Sequence, residues 1–91
     1  MTKTEYEAIR SLYIKLMNKK DRTEVEEAKY LYIDKIMTYI NLRAEAKRMG
    51  NKNPDDNFVI KRAKEHMESA QKRLAEVTEK SKQAELNNEK D

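Results

Sequence analysis

The 91-residue chain has no cysteine and no tryptophan, a single glycine, a single proline and a single histidine. Without cysteine, disulfides and thiolate metal sites are excluded, and the redox compartment leaves no mark on the sequence. One glycine and one proline are too few for the many tight turns of an all-β or α/β fold, so the expected class is all-α. The lone His66 has no second imidazole or thiol to converge with it, so no metal and no cofactor are expected, and His66 reads as a surface residue. No stretch approaches the roughly 20 apolar residues of a membrane span, and Met1 to Tyr6 lacks the apolar core of a secretory signal. A cytoplasmic location with no membrane partner is the expectation. No glycine-rich loop and no nucleophile–base pair is visible, and the acids Glu24, Glu26 and Glu27 are accounted for by a helix start. The chain is therefore expected not to be an enzyme and to have no small-molecule substrate.

What the chain does have is charge and period. Charged residues make up 41% against 37% hydrophobic, so bulk apolarity cannot organise burial and helical periodicity has to do so. Ile60, Ala63, Met67, Ala70, Leu74 and Val77 recur at alternating spacings of three and four, the seam of a coiled-coil helix. A stripe with a period near 3.5 is directed at a neighbouring helix.

Three helices follow from start and stop signals. Thr2-Lys3-Thr4-Glu5 reads as a capping box, and Tyr6, Ile9, Leu12, Tyr13, Leu16 and Met17 form one apolar face, which predicts a first helix over about 3–18. Asp21 or Thr23 can cap a second helix over about 22–49, which ends in Arg43, Lys47 and Arg48 before Gly50. Its apolar residues form two rows, Tyr30-Ile33-Met37-Ile40-Ala44 and Val25-Tyr32-Ile36-Tyr39, so more than one side of it should be covered. Asn53 as N-cap and Pro54 as first residue predict a third helix over about 54–80. Residues 1–80 then form one helical domain, and 81–91 a polar tail that is frayed or disordered.

Short connections favour antiparallel neighbours, which gives a three-helix arrangement. Helices two and three form a long antiparallel coiled-coil hairpin, and the shorter N-terminal helix packs on it. That helix can cover roughly 22–38 and, across the hairpin, 67–80, which leaves about 39–66 as a bare two-helix segment. The bare end carries several large apolar residues, and seven of the residues 43–64 are positive against three acids. Small scaffolds without disulfides commonly gain stability by association.

A protein partner is therefore expected at the hairpin end, with homodimerisation as the form of self-association. The residues chosen for it are Tyr39, Leu42, Arg43, Lys47, Arg48, Lys52, Phe58, Val59, Arg62 and His66. The expected function is a non-enzymatic helical protein–protein interaction module, of the kind a phage-type small regulator or inhibitor of a host macromolecule would be. The alternative is a nucleic-acid-binding module in which Arg43, Lys47, Arg48, Lys52, Lys61, Arg62 and Lys64 meet phosphates. A net charge of +3 with interspersed acids is weak support for it. The tyrosines Tyr30, Tyr32 and Tyr39 read as packing residues before they read as a platform for bases.

Overall fold

Two threonines start the first two helices. In the computed structural model, which describes residues 2–89, α1 spans Lys3–Asn18 and α2 spans Glu24–Arg48. The Thr2 hydroxyl accepts from the Glu5 amide at 3.2 Å, half of the predicted capping box. At α2 the box is complete. Thr23 Oγ1 accepts from the Glu26 amide at 3.1 Å, and Glu26 Oε1 accepts from the Thr23 amide at 3.2 Å, so Thr23 rather than Asp21 is the cap. Lys19 also donates to Glu26, and this bond with the Thr23 contacts holds the Glu26 carboxyl below the usual carboxylate range.

Gly50 ends α2 as its position predicts. Its φ of +89° lies in the left-handed region, the Gly50 amide reaches the Lys47 carbonyl, and the Asn51 amide reaches back to the Ala46 carbonyl at 2.9 Å. This pair of bonds is the Schellman arrangement, which satisfies carbonyls that the helix end leaves open.

The third helix departs from expectation at both ends. Pro54–Asp56 is a separate 3-10 turn with Pro54 buried, and α3 runs Phe58–Glu89. Asn53 makes no side-chain cap. The cap is Asn57, whose extended backbone breaks the helix and whose side chain accepts from the Val59 amide at 2.8 Å. At the other end, residues 81–89 continue the helix where the fading seam predicts fraying. Between Ser81 and Glu89 the chain has no glycine or proline, and Ala84, Glu85 and Leu86 favour helix, so the packed part propagates. Residues 90 and 91 of the predicted tail lie outside the described residues.

The two apolar rows of α2 decide how the helices meet. At 100° per residue their centres stand roughly 110° apart around the axis, whereas a closed triangle of helices needs about 60°. The triangle is therefore open. Helix α3 lies along α2 in a long hairpin, and α1 packs on this pair against α2. Among the described residues no Cα of α1 comes within 8 Å of one in α3. The expected cover of 67–80 by the first helix is thus corrected, because the wide angle between the rows holds α1 and α3 on separate flanks. Helix α1 runs antiparallel to α2, with Tyr6 donating to Asn41 at one end and Arg22 donating to the Leu16 carbonyl at the other.

The core is thin. Leu16, Ala28, Ile33, Ile60, Ala63 and Val77 are its buried apolar residues, and the seam positions Met67, Ala70 and Leu74 are half-buried. Among the described residues no polar or charged residue is buried.

Stacked tyrosines bolt α1 to α2. The rings of Tyr13 and Tyr30 lie 5.0 Å apart at 10°, and the Arg22 guanidinium sits 4.6 Å from the Tyr30 centroid. The Tyr30 hydroxyl donates to that of Tyr13 at 3.4 Å, and Tyr13 donates to Asp34 at 3.5 Å. The hydrogen bond shared with Tyr30, partial withdrawal from water and the Asp34 charge favour the protonated phenol, and the Tyr13 pKa is pushed up to about 12. A group whose folded pKa is raised contributes stability that is complete below its unfolded pKa of 10 and lost as pH rises through 12. Alkaline absorbance titration is expected to show one phenol ionising near pH 12, and Tyr13→Phe should remove that transition. The denaturation midpoint should also fall with rising pH across the 10–12 window, less steeply in Tyr13→Phe.

A candidate docking groove at the hairpin end

The turn that the sequence reading takes as helix instead plugs the hairpin end. Pro54 is buried, and Asp55 accepts from the Tyr39 hydroxyl at 3.3 Å and from the Arg43 guanidinium at 3.2 Å. Tyr39 and Arg43, both chosen as partner-binding residues, are thereby engaged within the chain. Arg43 Nε is buried and has no hydrogen-bond partner among the described residues. Arg48 is paired with Glu45 one turn back. Lys47 and Lys52 are exposed and stand apart from the groove.

The remaining five chosen residues are brought together. Leu42 of α2 and Phe58, Val59, Arg62 and His66 of α3 line one groove of about 260 Å³, completed by Lys35, Thr38 and Ala63. Antiparallel pairing explains the set. Positions 35, 38 and 42 recur at helical spacing on α2, as do 58, 59, 62, 63 and 66 on α3, so one flank of each helix forms one wall. Lys35 and Thr38 were missed, yet the register that pairs position 42 with 58 and 59 puts them opposite 62 and 66.

The groove is edged with uncovered apolar surface. Phe58 is 73% exposed and Val59 55%. The Arg62 guanidinium lies 5.9 Å from the Phe58 ring centroid. Directly beside them Ile60 is only 3% exposed and Ala63 9%. Ile60 and Ala63 belong to the core, because the 3-10 turn and α2 cover them, and of the two only Ala63 borders the groove.

No protein-family model, no curated protein and no solved structure matches the chain.

Other concavities offer less. A depression of about 620 Å³, where α3 passes the start of α2, has Glu24, Lys80, Lys82 and Glu85 on its walls, charges of both signs. A third, of about 350 Å³ between α1 and α2, is lined mainly by Lys15, Lys19, Glu26 and Lys29 around Leu12 and Leu16. Among the described residues no group of three or more metal-ligating side chains comes together. No helix among them is long and apolar enough to cross a membrane.

Proposed function

We propose that the chain is a non-enzymatic helical module that acts by docking on another protein through the end of its α2/α3 hairpin. The observation that carries this reading is the pairing of Phe58 and Val59, both more than half exposed, on the wall of a groove that Leu42 and Ala63 help to line at one end of the hairpin. Large exposed apolar side chains scattered singly need no explanation, whereas a contiguous set around a concavity marks an interaction site. A small regulator or inhibitor, phage-type or otherwise, would work this way, and a homodimer through the same surface is the form in which the chain alone would cover it.

The test is a double variant, Leu42→Glu with Phe58→Glu. Its helical circular dichroism is expected to persist, since Phe58 is open to solvent, while capture of a partner from the source cell and any concentration-dependent rise in mass are lost. Unchanged capture and unchanged mass behaviour would remove the hairpin end from consideration.

The nucleic-acid reading has its own support. Lys47, Lys52, Lys61, Arg62 and Lys64 take part in no ion pair among the described residues, although Arg43 and Arg48 are neutralised by Asp55 and Glu45. Salt separates the two. Phosphate binding weakens log-linearly with ionic strength, with a slope near 0.9 per phosphate contact, whereas an apolar protein interface responds far less.

A further inference from the structure

We infer that the groove between Leu42 and Phe58 takes an amphipathic helix with an acidic flank, contributed by another protein. The inference rests on the docking reading above and specifies its occupant.

Shape is the first argument. The α2 wall from Lys35 to Leu42 is about two helical turns, roughly 10 Å long. At about 260 Å³ the groove falls below the roughly 300 Å³ at which pockets for drug-sized ligands begin. A trough of two turns between antiparallel helices suits a third helix that lowers one or two large apolar side chains into it, the helix-in-groove mode of recognition.

Charge is the second. The lining includes Lys35 and Arg62 and no carboxylate. Lys35 has only a distant neighbour, Asp34 at 3.9 Å, in an exposed pair of little strength. Arg62 donates no hydrogen bond and forms no ion pair among the described residues, and its guanidinium rests toward the Phe58 face. A carboxylate on the incoming helix would give that fork its two-bond partner, and the aromatic ring below would exclude water from the contact.

A second copy fits less well. The exposed apolar pair on α1, Ile14 and Met17, has Arg10 and Lys15 as near neighbours, and would bring positive charge to a positive rim. Leu86 on α3 has Glu85 beside it, and Leu31 on α2 has Glu27 and Asp34 one turn away on either side, but each is a single apolar side chain for a groove two turns long. Complementarity thus favours a different chain.

The probes are two fluorescein-labelled helical peptides with the same leucines at helical spacing, one with glutamates on both flanks and one with lysines. Each is titrated into the full-length protein by fluorescence anisotropy, with backbone amide shifts as the map. The glutamate peptide is expected to bind at least tenfold more tightly and to move the amides of Leu42, Val59, Ala63 and His66. Arg62→Glu should remove that preference or reverse it, with Arg62→Gln in between, both folding as the parent because the side chain is exposed. Equal affinity for the two peptides would overturn the acidic-flank inference and leave the docking reading standing. No movement of groove amides with either peptide would remove both. A doubling of mass in sedimentation of the protein alone, abolished by Phe58→Glu, would assign the groove to a second copy and overturn the inference.

Discussion

Replacing Arg22 with alanine is expected to lower stability by about 2 kcal/mol, a large effect for a residue on the surface side of a turn. The guanidinium donates to the carbonyls of Leu16 at 2.9 Å, Lys19 at 3.4 Å and Met17 at 3.5 Å, pairs with Glu27, and lies over the Tyr30 ring. These carbonyls belong to the end of α1, where acceptors lack amide partners and the helix dipole is negative. One side chain therefore terminates α1, braces the turn and presses against the tyrosine stack on α2. An isolated helix of 16 residues is marginal in water, so α1 depends on this anchorage. Hydrogen exchange should show α1 losing protection first in Arg22→Ala, while α2 and α3 keep theirs. Lysine restores the charge but not the planar fork, so Arg22→Lys should recover less than half of the loss in urea denaturation. If Arg22→Ala shifts the urea midpoint by no more than an ordinary surface substitution, the turn is held by other contacts.

Ile60→Ala should be more damaging still, at about 3 kcal/mol, while Phe58→Ala two residues away should change stability by less than about 0.5 kcal/mol. Ile60 is 3% exposed on the seam and Phe58 73% exposed beside it. Truncating a buried isoleucine removes transfer energy and leaves a cavity; truncating an exposed phenylalanine does neither. With six buried aliphatic side chains besides Pro54 among the described residues and a total stability on the usual scale of roughly 5 to 14 kcal/mol, the Ile60 loss is a large fraction of the whole. Chemical denaturation of both variants checks the contrast. Comparable losses would make Phe58 a core residue and withdraw it from any interface.

That pair of neighbours also shows what the sequence could convey. The seam from Ile60 to Val77 was legible because a period of 3.5 is a local property, and so were the caps at Thr2 and Thr23 and the left-handed stop at Gly50. Each depends on residues within one or two turns. The angle between the rows of α2 was legible too, but its consequence, α1 and α3 held apart, emerges only when the rows are treated as directions rather than as coverage. Arg22 was overlooked because its partners are backbone carbonyls, which carry no sequence signature. Asp55, inside the stretch predicted as the start of the third helix, is the acceptor for Tyr39 and Arg43, a pairing across 16 and 12 positions that no local rule encodes. For the groove, Leu42, Phe58, Val59, Arg62 and His66 were found from the unequal helix lengths and the charge at the hairpin end, whereas Lys35 and Thr38 required the register.

The open, drawn-out arrangement of the helices has a hydrodynamic consequence. The chain measures 60 × 24 × 21 Å with a radius of gyration of 16.3 Å, against roughly 12 Å for a globular protein of this length. A rod of this shape tumbles and filters as a heavier sphere would, so a monomer leaves a gel-filtration column early, at a volume that imitates a dimer. Light scattering or sedimentation equilibrium, which weigh the particle rather than its outline, are the measurements that count its chains.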